Sequence, residues 1–211
     1  MEILFISDYV CPYCLVAKEA LHRALEKLGL EAPITYQPHE LTPEPKERVD
    51  TYHDQRRRAN YQILVEPCRQ MNLDMKLPPK VIPRPYTRLA FEGWFYACDH
   101  GKGEAYNDLV YRAYFIQEQD IGQLDVLSDL AKQVGLDHKD FRQALETGRY
   151  TQKEQEAVRY TREVLKPKGV PTIYVDGREI TLNDYTEGEM LQALNDAAFS
   201  ASGRFCGMDG C

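Results

Sequence analysis

The chain has 211 residues, 43% of them apolar and 28% charged, which suffices for a sizeable core and excludes a disordered, low-complexity polymer. Its net charge of -7 repels a phosphate backbone, so nucleic acid is not expected as a partner. No apolar run approaches the roughly 20 residues of a membrane-spanning helix, so no membrane partner is expected either.

The first predicted element is a short buried strand over residues 2–6, where Ile3, Leu4, Phe5 and Ile6 follow one another before a turn-like Ser7-Asp8. A helix is predicted over 12–28. Pro12 suits its first position, and Cys14, Ala17, Leu21, Ala24, Leu25 and Leu28 form an apolar stripe that Gly29 ends as C-cap. Ile34 to Gln37 reads as a second strand, so the opening is a βαβ crossover. Residues 42–47 are rich in Pro and Glu and read as a linker.

Helical patterns then dominate from about 50 to 166. Helices are expected over 50–72, 87–100, 104–118 and 123–134, from Asp137 to Gly148, and over 152–166, with a loop from Leu77 to Pro85 where four prolines cluster. Strands return at Thr172–Val175 and Arg178–Leu182, joined by the hairpin signal Asp176-Gly177. Residues 187–198 form an amphipathic helix, and 200–211 a glycine-containing tail without period. The expected architecture is α/β: one domain made of residues 1–41 and 167–199, an all-helical insertion over 42–166, and a flexible cysteine-bearing tail over 200–211.

Six cysteines stand at 11, 14, 68, 98, 206 and 211. No basic residue precedes Lys18, so no secretory signal is read at the N-terminus and a cytoplasmic location is expected. In that reducing setting cysteines serve catalysis, metal binding or packing rather than structural disulfides. Arg56-Arg57-Arg58 reads as a solvated helix face.

Cys11-Pro12-Tyr13-Cys14 carries the sharpest chemistry, at the junction of the first strand and the first helix. Backbone N–H groups at a helix N-terminus favour a thiolate, and two cysteines three apart lie within one turn and can close a disulfide. The upstream Cys11 is expected to be exposed and nucleophilic, and the downstream Cys14 buried and able to resolve a mixed disulfide. The competing reading is half of a zinc knuckle, but two further ligands at matching spacing are missing nearby, and no metal is expected. Gly169-Val170-Pro171-Thr172 precedes the third strand, where Pro171 either merely opens the strand or forms a cis bond in a tight turn.

Cys68 and Cys98 read as core filling, as does most of the set Trp94, Phe95, Tyr96, Tyr106, Tyr111, Tyr114 and Phe115. His22 is expected on an exposed helix face, and His39, after the second strand, is a candidate to approach the thiols. Cys206 and Cys211 end the chain as a second redox pair, as two metal ligands, or without a role.

Together, Phe5-Ile6-Ser7-Asp8 leading into Cys11-Pro12-Tyr13-Cys14, the helical Tyr114-Phe115, Asp120-Ile121 and Gly135-Leu136-Asp137, and Gly169-Val170-Pro171-Thr172 resemble the DsbA family of the thioredoxin superfamily. Within it they resemble the FrnE-like branch, related to 2-hydroxychromene-2-carboxylate isomerases. The likeness covers nearly the whole chain. It implies a thioredoxin fold with an inserted helical domain and thiol–disulfide exchange without a cofactor. It implies Cys11 as nucleophile, Cys14 as resolving thiol and Pro171 as the cis-proline. Val170, Tyr13 and Pro12 then contact substrate, Val170 by pairing with an extended chain. The implied partners are protein or small-molecule disulfides and thiols, glutathione among them. The alternatives are a glutathione-dependent isomerase or transferase of the related branch, which carries Ser where this chain has Cys11, and a non-enzymatic zinc-binding module.

Overall fold

A computed structural model describes residues 1–202, with side chains up to Ala198; Cys206 and Cys211 lie outside the described residues. Four strands form one sheet: β1 (Ile3–Ser7), β2 (Ile34–Pro38), β3 (Thr172–Val175) and β4 (Arg178–Ile180), in the order β2-β1-β3-β4. β1 and β2 run parallel, with Ile3 opposite Ile34 and Ser7 opposite Pro38. β3 lies antiparallel to β1, with Phe5 opposite Ile173, and β4 antiparallel to β3. Asp176 and Gly177 both take positive φ, 48° and 77°, the backbone a two-residue hairpin needs to match strand twist.

The crossover is α1 (Pro12–Leu28), which starts with Pro12 in its first turn and ends at Gly29 with φ 63°, its N–H closing on the Glu26 and Leu25 carbonyls. Leu21, Ala17, Ala20 and Ala24 on this helix are fully buried. The closing helix, α9 (Glu187–Ser202), packs beside α1 through Met190 and Leu194, both fully buried.

Between the sheet halves lie α2 (Gln55–Tyr61), α3 (Val65–Gln70), α4 (Arg88–Asp99), α5 (Gly103–Phe115), α6 (Leu124–Gln133), α7 (His138–Glu146) and α8 (Thr151–Tyr160). Asp137 caps α7 by accepting from the Lys139 and Asp140 amides. Gly93 lets α4 meet its neighbours closely: a Cβ there would stand 2.4 Å from Tyr106 Oη and 2.7 Å from Phe141 Cζ. The apolar core is continuous, running from Phe5 and Tyr9 through Tyr111 to Tyr106 and Phe141. Tyr9 bridges the parts, its ring 4.7 Å from that of Phe91 and 5.0 Å from that of Tyr111.

The structure departs from the sequence reading in several places. The helix expected over 50–72 is broken into α2, a 3-10 turn at Gln62–Leu64, and α3. Asp54 caps α2 late, accepting from the Arg56 and Arg57 amides, and Pro67 lacks the N–H a continuous helix would use. After α8 the last turn widens to a π-helical Thr161–Leu165, closed by Lys166 at φ 48°. Buried Thr161 ties this turn to β2, donating to the Pro38 carbonyl at 2.8 Å. Cys98 is exposed rather than core, because it sits at the end of α4, while Cys68 is buried as expected. His22 is half-buried rather than exposed, because its Nε2 lies 3.2 Å from Tyr36 Oη and 3.3 Å from Glu104 Oε1.

Candidate active site

Cys11 is the N-cap residue of α1, with extended backbone, and Pro12 follows in the first helical turn. The Cys11 amide donates to the Asp8 carbonyl at 3.0 Å and the Cys14 amide to the Cys11 carbonyl at 3.1 Å. These bonds fold residues 8–14 into a tight turn with both thiols on one side. The Val170–Pro171 peptide is cis, and the Val170 carbonyl accepts from Cys11 Sγ at 3.4 Å. Thr172 Oγ1 donates to the Gly169 carbonyl at 2.8 Å, closing the same loop on itself. The sheet makes this meeting possible: β1 feeds α1 and β3 follows the proline loop, and the two strands are neighbours. Residues 159 positions apart in sequence thus touch.

The expected exposure of Cys11 is not found. Cys11 is 3% exposed and Cys14 wholly buried. The rings of Tyr13 and Tyr185 pair 5.1 Å apart beside the thiols, and Tyr13 Oη donates to the Asn60 carbonyl at 2.7 Å. Tyr61, Tyr13 and Tyr185 all lie near enough for the Cys11 charge to help raise their phenol pKa values, though burial is the larger cause in each. A groove of about 300 Å³ opens alongside, between the Gly169–Thr172 loop, Leu182 and Tyr185.

The two thiols differ electrostatically. Burial pushes Cys14 well above the ordinary thiol range, and its hydrogen bond to Cys11 and the Cys11 charge push the same way. A backbone hydrogen bond with Asp8 opposes this only in part. Cys14 is therefore the thiol that keeps its proton.

Sequence reasoning missed Asp8, Asn60, Tyr61 and Tyr185 as neighbours of the pair. Asp8 left a signal, a carboxylate at the end of the strand Ile3–Ser7 and three residues before Cys11. Its side chain is 0% exposed, Oδ2 accepts from the Leu41 amide at 2.7 Å, and burial raises its pKa. Asn60 and Tyr185 left none, because nothing local links residues 47 or 172 positions from Tyr13 to it. His39 does not turn to the thiols in any hydrogen bond of the described residues. Its amide bonds the Ser7 carbonyl at 2.9 Å, and burial, with the Arg162 charge, lowers its ring pKa. A cavity of about 660 Å³ lies elsewhere, against Leu4, Thr35 and Tyr174 on the sheet face opposite Phe5. No described helix is long and apolar enough to cross a membrane.

Comparison with known proteins agrees with this geometry. The chain is 36% identical over 176 residues to the uncharacterized protein YwbO of Bacillus subtilis (strain 168), covering 83% of this chain and 86% of that one. Its fold is similar to a probable DsbA oxidoreductase, SCO1869, of Streptomyces coelicolor, with TM-score 0.75, 21% identity, and 94% and 90% of the two chains covered. It is similar also to a 2-hydroxychromene-2-carboxylate isomerase, with TM-score 0.71, 16% identity, and 98% and 96% covered. A third similar fold is the cytosolic disulfide reductase DsbM of Pseudomonas aeruginosa with GSH, with TM-score 0.63, 16% identity, and 96% and 98% covered. The DSBA-like thioredoxin domain matches residues 2–194, and the chain, with its thioredoxin fold, belongs to that family.

Proposed function

We propose that the protein is a thiol–disulfide oxidoreductase whose redox pair is Cys11 and Cys14. The observation that carries this reading is the Cys11 thiol on the Val170 carbonyl, with the protonated Cys14 one turn behind it. In the reducing direction, the Cys11 thiolate attacks one sulfur of a substrate disulfide. A mixed disulfide forms and the other substrate sulfur leaves as a thiolate. Cys14 then loses its proton and attacks Cys11 Sγ, closing the Cys11–Cys14 disulfide and releasing the second substrate thiolate. Two electrons pass from the dithiol to the substrate, and in the oxidising direction the same steps reverse.

Pro171 holds the loop that brings Val170 to Cys11, and Val170 offers main-chain polar groups to an extended substrate strand. Pro12 and Tyr13 form the wall of the groove nearest the nucleophile. The substrates are disulfides of flexible peptide or of small thiols. The glutathione in the DsbM structure supports the second class, and the shallow access to Cys11 disfavours rigid protein surfaces. Cys11, where the isomerase branch carries Ser, supports the oxidoreductase over the isomerase. We place the chain in the FrnE-like branch and in the cytoplasm, with residues 1–41 and 167–199 as the thioredoxin unit and 42–166 as the helical insertion. Cys206 and Cys211 relay electrons to or from this pair, and deletion of residues 204–211 tests that step.

The reading is tested by insulin reduction with dithiothreitol, wild type beside Cys11→Ser. The wild type should accelerate precipitation, and Cys11→Ser should lose at least about 10³-fold of that turnover. Cys14→Ser should accumulate the mixed disulfide, visible by mass. Equal turnover by Cys11→Ser would remove the assignment.

A further inference from the structure

With a net charge of -7 the chain as a whole repels anions. Its only run of three basic residues, Arg56-Arg57-Arg58, nevertheless lies on α2, and the fold sets that helix beside the thiol pair. The Asn60 carbonyl of α2 accepts from Oη of Tyr13, two residues after Cys11. Arg56 and Arg57 precede Asn60 by four and three residues, so both stand about one helical turn, roughly 5.4 Å along the axis, from that bond. The Tyr61 phenol next to it is within reach of the Cys11 and Arg57 charges alike, though burial is the larger influence on it.

These guanidiniums are open to solvent, since every residue from Gln55 to Asn60 is exposed. Arg56 bonds to Asp54 through its amide, and its guanidinium has no partner among the described residues. Arg57 lies 3.4 Å from Asp54. Arg58 stands over the Tyr52 ring, 5.6 Å from its centre, and Lys80 approaches the same ring at 5.6 Å. The groove of about 300 Å³ against the Gly169–Thr172 loop carries a further cation, Lys168. Lys168 is exposed, has no carboxylate partner among the described residues, and comes two residues before Val170, whose carbonyl accepts from Cys11 Sγ.

The carboxylates of this surface are mostly engaged. Asp54 accepts from the Arg56 and Arg57 amides, Asp50 pairs with His53 at 2.8 Å, and Glu118 accepts from the Lys80 amide at 2.7 Å. Glu179 is the one carboxylate lining the groove. Two residues of α1 and one tyrosine side chain separate Cys11 from Asn60. About three residues of an extended peptide, at roughly 3.3 Å each, cover such a span.

We propose that Arg56, Arg57 and Lys168 select the substrate: the protein prefers peptide disulfides with acidic residues flanking the cysteine, whose carboxylates meet these cations while a substrate sulfur meets Cys11. This rests on the dithiol reading of Cys11 and Cys14 and narrows its substrate class. The cations form no covalent bond. They raise the rate of encounter with an anionic peptide and fix its position along the groove, and they slow a cationic one.

The test is the rate at which reduced full-length protein is oxidised by disulfide-linked dimers of three short peptides, followed by acid quench and mass. The peptides differ only in carrying glutamate, glutamine or lysine at the positions flanking cysteine. Each wild-type rate is divided by that of the variant Arg56→Gln/Arg57→Gln/Lys168→Gln with the same peptide, so the intrinsic reactivity of each disulfide cancels. At about 0.01 M salt the quotient should be about 10 for the glutamate peptide and below one for the lysine peptide. Raising salt to about 0.5 M should bring both close to one. Arg56→Lys/Arg57→Lys, which keeps the charge, should keep the wild-type order of the peptides. A purely structural role of α2 would move all three peptides alike, so equal quotients for the glutamate and lysine peptides would overturn the selection and leave the dithiol reading standing. A quotient near one for the glutamate peptide beside a raised one for glutathione disulfide would assign the cations to a small thiol and overturn the peptide preference. Thiol loss no faster in wild type than in Cys11→Ser, with every disulfide, would overturn the dithiol reading and the selection with it.

Discussion

Two helices hold opposite ends of one hydrogen bond, and they could hardly differ more. α1 carries Tyr13 and is buried along most of its length, with Val16, Ala17, Ala20, Leu21 and Ala24 fully buried and α9 packed alongside. α2 carries Asn60, and every residue from Gln55 to Asn60 is exposed, leaving only Tyr61 to anchor it. The thiols ride on the first helix and are covered with help from the second. The proposed redox pair is therefore held by deep packing, which moves little, while its neighbour Tyr13 is held by one hydrogen bond and one ring pair. Position and access are separately tunable, because they rest on interactions of different strength.

The largest expected effect lies in α1. Leu21→Ala should cost about 2–5 kcal/mol, since a fully buried leucine leaves a cavity that its neighbours fill only in part. Urea unfolding measures it, and a loss below 1 kcal/mol, on the order of a surface substitution, would break the contrast between the helices.

The contrast sharpens with pH, because the packing of α1 is apolar while α8 buries Glu154. Burial raises Glu154 to about 8, above its unfolded value of about 4.3. Protonation thus favours the fold: the contribution is complete below about pH 4.3 and is lost as pH rises through 8. Between pH 5 and 8 the wild type should lose about 1–3 kcal/mol that Glu154→Gln retains, while Leu21→Ala keeps the wild-type pH dependence. Parallel stability curves for wild type and Glu154→Gln would contradict this.

The smallest effect on stability belongs to the cover. Tyr13→Phe deletes the bond to the Asn60 carbonyl, which water can replace, and should cost about 0.5–1 kcal/mol. The alkylation rate of Cys11 by iodoacetamide should nonetheless rise several-fold, read by peptide mass after a short pulse. An unchanged rate would mean that the Tyr13–Asn60 bond does not restrain the cover.

Much of this was legible in the chain. Pro12, the apolar stripe of α1 and Gly29 announced that helix to the residue, because each signal acts within a turn of itself. The strands around Asp176-Gly177 were equally local, except that β4 stops at Ile180 rather than Leu182. The segment 50–72 misled because its loose period hid the late cap at Asp54 and the 3-10 turn at Gln62–Leu64 that precedes Pro67. Cys98 misled because apolar neighbours said nothing of its place at a helix end.

By itself the sequence determined the order of elements, the family resemblance and the pair of cysteines at a helix mouth, since propensity, capping and spacing are properties of neighbouring residues. Tertiary structure decided what surrounds that pair. Sheet order brought Val170 to Cys11, a bond from α1 to α2 tied Tyr13 to Asn60, and tertiary packing took Asp8, Glu40 and Glu154 out of water. Exposure and pKa depend on which distant side chains remove the solvent, and no local pattern encodes that.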